Sequence, residues 1–424
     1  MQTIGTGSKG LTFIDLFAGA GGLSEGFIQA GFDPVAHVEM NEFAAKTLET
    51  RSAYYYLKAN NNLETYYSYL RGELTREQFL GNIPGKYLKP VICETMSDKS
   101  LPNLFRKIDG IMGERGIQAV DVIIGGPPCQ AYSLVGRAQS NHMETPMSED
   151  PRNNLYKLYG RFLKRYQPQM FVFENVMGIE SANGGRTWKN IQKYLKRVGY
   201  EIECHEQNAR HFGVLQNRRR MIIVGWLKDS GLKYPDFQEV KTDAIVNDLL
   251  EDLPQLHPGE RAFEYPTEQM SNYVRDTGIR TPSDVLTLHA SRPNKDRDIA
   301  IYEKAIELWA EGKRLNYNDL PEELKTHKNR SAFLDRFKVV EGNEPYCHTM
   351  LAHISKDGHY FIHPDPEQHR SITVREAARI QSFPDNYYFE GPRTAQFVQI
   401  GNAVPPMMAK GIAEGIAAEL KGDY

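Results

Sequence analysis

The sequence predicts an α/β fold: a doubly wound, mostly parallel sheet joined to a second, smaller and irregular domain. Three observations carry this expectation. Short apolar runs alternate with helical patterns through the first half of the chain, as strands do when helices cross both faces of a sheet. Rigid turns of Gly and Pro follow two of those runs. After Trp226 the alternation stops, and Pro, charged residues and short mixed segments dominate to about Asp385.

Taken in order, Leu11 to Phe17 reads as a first strand, Ala18-Gly19-Ala20-Gly21-Gly22 as a turn, and Leu23 to Ala30 as a helix stopped by Gly31. Val35 to Val38 is a second strand ending at the acid Glu39. The segment from Arg51 to Pro90 is rich in tyrosine, and a surface helical excursion packed by aromatics explains it better than a base-stacking platform. Asp121 to Ile124 and Met170 to Phe173 are buried strands with a helix near Leu155 to Tyr166 between them, and Met221 to Val224 is another strand. Beyond Trp226 only Asp298 to Gly312 forms a convincing long helix. Thr373 to Gln381 is helical, with Thr373 and Glu376 at capping-box spacing, and an Ala-rich helix closes the chain. The expected division is 1–226, completed by 395–424, with a second domain over 227–368 and a hinge over 369–394.

The chain has 424 residues, long enough for two domains, and 40% hydrophobic with 25% charged residues is ordinary for a globular protein. No apolar stretch approaches the length of a membrane span, and Met1 to Gly10 lacks the pattern of a signal peptide. Cys93, Cys129, Cys204 and Cys347 are too scattered for a metal or redox CxxC motif or a disulfide framework, so the expected setting is a reducing cytoplasm without a metal. A net charge of −3 does not exclude a nucleic-acid partner, because phosphate binding depends on local clusters. Two exist: Arg218-Arg219-Arg220, and Lys325, Lys328, Arg330, Arg336 and Lys338, although a solvated helix face explains the second as simply.

The chemistry begins at two turns. The first lacks the spacing that cradles a pyrophosphate, while Glu39 can accept hydrogen bonds from ribose hydroxyls. Together these suit a nucleoside without pyrophosphate, S-adenosylmethionine above all, with Phe17 and Met40 placed to offer adenine an apolar face. At the second turn, Gly125-Gly126-Pro127-Pro128 fixes the exit of a strand and presents Cys129, a candidate nucleophile. A buried, inert thiol is the commoner fate of a cysteine, but the rigid presentation and the polar Gln130 and Ser133 beside it argue otherwise. Glu174, in Glu174-Asn175-Val176, puts a carboxyl at the same end of a neighbouring strand as a candidate acid. In Gln216-Asn217-Arg218-Arg219-Arg220, strand alternation puts Arg218 and Arg220 inward as donors to a reacting carbonyl and Arg219 outward.

In this order, these segments resemble the cytosine-C5 DNA methyltransferases of bacterial and phage restriction-modification type. Phe13 to Gly22 is similar to that family's cofactor loop, Glu39 to its ribose-binding acid, and Gly126 to Ser133 to its Pro-Cys loop. Glu174 to Val176, Gln216 to Arg220, Arg370 to Asp385 and Gln399 to Val404 resemble its ENV, QxRxR, hinge-helix and closing GN motifs.

The resemblance implies a Rossmann-like sheet and methyl transfer from S-adenosylmethionine to carbon 5 of a flipped cytosine in duplex DNA. Cys129, Glu174, Arg218 and Arg220 would be catalytic. Phe17, Ala18, Gly19, Gly21, Gly22, Leu23, Glu39, Met40, Pro127, Leu155, Asn402, Ala403 and Val404 would surround the cofactor, with Asp98 replacing the family's adenine-binding Asp. DNA would meet Gln130, Ser133, Arg330, Arg336 and Lys338, with Ala131 to about Asp150 closing over it and Leu227 to Gln368 recognising the target. A monomer on DNA, associated with the nucleoid, is implied; a separately encoded restriction endonuclease stays open. A tRNA cytosine methyltransferase or a non-catalytic DNA-binding relative are the alternatives.

Overall fold

The structure, a computed structural model, describes residues 10–127, 155–177, 182–325 and 327–422. Seven strands form one sheet: β1 (Thr12–Leu16), β2 (Asp33–Glu39), β3 (Val91–Cys93), β4 (Val122–Gly125), β5 (Met170–Asn175), β6 (Tyr200–Asn208) and β7 (Arg219–Leu227). Their order is β3-β2-β1-β4-β5-β7-β6, parallel except for β7, which runs antiparallel to both neighbours. The chain leaves β1 toward β2 on one side and returns to β4 on the other, so the switch point lies where β1 meets β4.

Alternation along each strand explains the two layers. Ile14, Leu16, Ile123, Phe171, Phe173 and Ile223 pack with α5 (Leu101–Arg115), α6 (Leu155–Tyr166) and α7 (Arg186–Val198) through Leu104, Phe162 and Leu195. Phe13, Val122, Ile124, Met170, Val172, Ile222 and Val224 face the other way, onto α1 (Gly22–Gln29) and the C-terminal helix α12 (Pro406–Lys421) through Phe27, Met408 and Ile412. The Ala-rich helix thus returns to cover the first half of the chain. The predicted strands are all present; β3 and β6 were not predicted. Three residues give β3 too little pattern, and β6 alternates polar residues along a sheet edge.

The Tyr-rich segment is helical: α2 (Glu42–Ala59), α3 (Leu63–Leu70) and α4 (Arg76–Gly81) share an aromatic cluster of Tyr54, Tyr66, Tyr67 and Phe79. It also reaches far along the chain, since the hydroxyls of Tyr66 and Tyr69 donate to Asn386 O and Glu390 Oε1.

From residue 244 to 403 irregular segments and short helices share a third core that includes α10 (Val374–Ile380) and α11 (Arg393–Asn402). Thr373 and Glu376 close the expected capping box, and Glu376 also holds Arg370 at 2.7 Å. Between these lie α8 (Asn272–Asp276) and α9 (Asp296–Ala310), the latter two residues upstream of its predicted limits. Among the described residues no helix is long and apolar enough to cross a membrane.

Candidate functional site

The carboxyl ends of β1, β2, β4 and β5 open onto one edge of the sheet, and the reversed β7 begins there. At β1, Phe17 takes a left-handed φ of 59°, which turns the chain off the strand; Ala18 N then donates to Val38 O. Glu39 closes the neighbouring strand. Its Oε2 accepts from Gly19 N at 2.8 Å, and its Oε1 accepts from Met40 N at 2.9 Å and Asn41 N at 2.7 Å. A carboxylate so held has a fixed aim and, on Oε2, a lone pair left for a hydroxyl.

The roof of this turn tolerates no side chain. A Cβ on Gly22 would lie 2.2 Å from Val404 O and 3.1 Å from Ala403 Cβ, and Gly21 sits at φ 82° as the N-cap of α1. Of the predicted cofactor residues, Leu23 is buried beneath the turn, Met40 is 63% exposed beside Glu39, and Asn402 is exposed at the end of α11. Pro127 is buried where β4 ends, and Leu155 opens α6 half-buried.

The Asp98 side chain is 81% exposed and faces Arg161 at 3.3 Å, an ion pair on the surface. Three residues of strand leave β3 short, and the chain after it is spent elsewhere: Glu94 binds Lys107 and Asn103, while Met96 enters the core.

Below the turn lies a buried network absent from the sequence expectations. Asp15 on β1 accepts from Ser24 Oγ, which is 3.0 Å from His37 Nδ1 on β2. Burial pushes the Asp15 carboxyl up to about 8, with Glu39 adding to the rise, and lowers His37 to about 4. An acid in the middle of an apolar strand was the available signal.

The second cluster forms around β5. Gly125 pairs with Phe173, so Gly126 lies against Glu174; a Cβ there would be 2.8 Å from Glu174 Oε2. Asn175 pairs with Met221, which brings Arg220 alongside, its Nε 2.8 Å from Glu174 Oε1. The carboxylate is therefore gripped between the turn that leads to Cys129 and the start of β7. Cys129, Gln130 and Ser133, with the loop Ala131 to Asp150, lie outside the described residues.

Arg218 does not join Arg220. It is fully buried, and its guanidinium donates to Met350 O, Gly401 O and Ala403 O. Alternation correctly turned it inward, but inward at that point is the protein interior. Gln216 acts similarly: its amide reaches Ile380 O and Gln381 Oε1, and Gln381 donates to Ile400 O. Three of the sequence motifs thus bind one another. Arg219 is outward as expected, on Glu206.

In the basic stretch the structure gives Arg330, Arg336 and Lys338 each an intramolecular partner. Arg336 donates to Asn329 O, Ala332 O and Phe333 O and stacks 4.1 Å over Tyr317, bracing its own loop. Lys338 is 10% exposed and pairs with Glu341, which the adjacent His348 and Lys338 hold down to about 2. Arg330 stays on the surface, paired with Glu322.

Comparison with known proteins agrees with this geometry. A family model for C-5 cytosine-specific DNA methylase matches residues 11–63 and 89–418. The chain is 42% identical to type II methyltransferase M.Bpa9945I of Bacillus paralicheniformis, over 97% of this chain and 99% of the relative. It is 32% identical to type II methyltransferase M1.HphI of Haemophilus parahaemolyticus, over 96% and 86%. In fold it is similar to a chain assigned as a DNA modification methyltransferase encoded within an E. coli prophage (TM-score 0.62, 23% identity, 97% and 99% covered). It is also similar in fold to the Entamoeba histolytica methyltransferase EhMeth (TM-score 0.54, 15% identity, 97% and 99% covered). The chain belongs to the C-5 cytosine-specific DNA methylase family.

Proposed function

We propose that the protein transfers a methyl group from S-adenosylmethionine to carbon 5 of a cytosine extruded from duplex DNA, through a transient Cys129 adduct. The observation that carries this reading is the Glu174 carboxylate, held at the end of β5 between Gly126 and Arg220, with the Glu39 turn at the ends of β1 and β2 on the same sheet edge.

The residues present fit the cofactor. Gly21 and Gly22 keep side chains out of the turn, Glu39 offers a fixed acceptor to ribose hydroxyls, and exposed Met40 offers adenine an apolar face. When bound, S-adenosylmethionine supplies an electrophilic methyl sulfonium.

Carbon 5 of cytosine is too weak a nucleophile to take that methyl unaided. Addition of the Cys129 thiolate to carbon 6, with a proton given to nitrogen 3 by Glu174 in its acid form, turns carbon 5 into an enamine carbon. Arg220 holds Glu174 and can donate to the base carbonyl. After methylation, loss of the carbon 5 proton to a base expels the thiolate, and return of the nitrogen 3 proton to Glu174 restores the ring. Both reacting carbons are stacked inside a duplex, so the base must leave it, at a cost of a few kcal/mol offset by protein contacts.

Residues 227–368 serve as target recognition, 369–394 form a hinge to the catalytic domain of 1–226 and 395–424, and the protein works as a monomer on DNA. The likeness to two type II methyltransferases supports a role in restriction-modification, for which a separately encoded endonuclease is the expected counterpart.

Base-resolution methylation mapping of DNA from cells expressing the protein yields the site. A duplex carrying 5-fluorocytosine at that site, with S-adenosylmethionine, then traps the wild type covalently. Cys129→Ala binds the duplex but is not trapped. Absence of any trapped wild-type species on a site it demonstrably methylates would overturn the adduct, and methylation of tRNA instead of DNA would overturn the substrate.

A further inference from the structure

The glycine turn is held from above as well as from the sheet. Tyr387 is 1% exposed, and its hydroxyl donates to Ala20 O at 2.5 Å. The same hydroxyl would stand 2.9 Å from a Cβ on Gly21, so it rests directly on the turn. Its ring packs against Phe383 and Phe389, and Phe383 is in turn 3.1 Å from the place a Gly22 Cβ would take.

A second tie runs parallel to the first. Arg51 binds Glu25 of α1 through Nε at 2.9 Å and Nη2 at 2.6 Å, and through Nη1 reaches Asn386 O and Asn386 Oδ1. Its guanidinium lies 4.7 Å from the Tyr387 ring. Behind Tyr387, its carbonyl accepts from Arg375, which also binds Thr287 through Oγ1 and the main chain. A continuous set of contacts therefore connects Thr287, in the region after Trp226, with the backbone of the turn after β1.

We infer that Tyr387 is a positioning residue for the methyl donor: its hydroxyl fixes the Ala20 carbonyl and so holds the turn from Ala18 to Gly22 in the shape that receives the cofactor. The inference rests on the proposed cofactor site. The turn has few alternatives for satisfying that carbonyl. Ala20 is buried, and Gly19 and Gly21, both at positive φ, would otherwise let the backbone rotate freely. Burial, reinforced by Glu25, keeps the phenol protonated, so it remains a donor at any pH the enzyme meets.

The test is Tyr387→Phe, which keeps the ring and removes one oxygen, against Tyr388→Phe as a control for loss of a neighbouring phenol. S-adenosylmethionine binding is measured by titration calorimetry, with kcat and KM on the mapped duplex and hydrogen exchange of the 15–27 segment. Tyr387→Phe is expected to raise the Kd and KM for S-adenosylmethionine roughly five- to tenfold and to keep kcat within about twofold, as for one buried hydrogen bond lost from a binding loop. Exchange should quicken in 15–27 and not in β5, and Tyr388→Phe should match the wild type.

An unchanged Kd in Tyr387→Phe, with the wild type binding the donor, overturns the role of Tyr387 and leaves the cofactor site standing. A parallel loss of donor binding, DNA binding, kcat and melting temperature overturns it as well, since that is the mark of general destabilisation. Wild type that binds no S-adenosylmethionine overturns the cofactor site itself.

Discussion

The guanidinium of Arg220 meets the carboxylate of Glu174 at 2.8 Å, with each side chain 14% exposed. The two meet because β7 alone runs against its neighbours, so its first residues lie at the end of β5 rather than at the far side of the sheet. Both groups retain a face toward the edge where the glycine turns open, which suits groups that must touch a substrate.

For Glu174→Gln, kcat is expected to fall roughly a hundredfold or more, because the amide cannot deliver a proton. The Kd for S-adenosylmethionine should stay within about twofold. A Kd that rises while single-turnover methylation keeps its rate would show that Glu174 serves binding instead.

Arg218 and Arg219 are neighbours in sequence with opposite expected effects. Arg218→Ala strands the carbonyls of Met350, Gly401 and Ala403 in the interior, and should destabilise the fold by about 3 kcal/mol or more. Arg219→Ala removes an exposed pair with Glu206 and should change stability by less than about 1 kcal/mol. Urea denaturation of the two variants separates these cases; equal midpoints would refute the assignment.

The Asp15–Ser24–His37 network predicts a pH dependence of stability. Asp15 is raised to about 8, so the folded state keeps a proton that the unfolded chain has lost, and stability falls as pH rises toward 8. His37, lowered to about 4, acts oppositely between there and its ordinary value near 6.5. The two offset each other in that lower window, and above it Asp15 acts alone, at up to about 1.4 kcal/mol per pH unit. Asp15→Asn should flatten the loss between pH 6.5 and 8 in chemical denaturation. A wild type as stable at pH 8 as at 6.5 contradicts a buried neutral Asp15.

Gly22→Ala drives a methyl group into Val404 O, a backbone atom that cannot swing away. The variant should lose S-adenosylmethionine binding by about tenfold or more and melt earlier, whereas Gly113→Ala, where nothing lies within 4 Å, should do neither. Thermal melting with and without the donor reads both effects.

The sequence by itself determined the layered α/β plan, because burying a strand on both faces demands continuous apolar runs, and Ile123, Phe171 and Ile223 advertise them. It also determined the turn after β1, where Gly19 and Gly21 take left-handed torsions that favour glycine, and the Thr373 cap, whose partners are three residues apart. The tertiary structure decided everything that depends on which distant groups arrive together. Alternation turned Arg218 and Arg220 to one side, yet only packing set one against backbone carbonyls of the C-terminal segments and the other against Glu174. Asp98, Arg336 and Lys338 carry charge that the sequence shows plainly, but only the fold gives each its neighbour: Arg161, the carbonyls of its own loop, and Glu341. Tyr387 gave no sign in the sequence, because a hydroxyl acquires its role from the carbonyl it meets, and Ala20 lies at the other end of the chain.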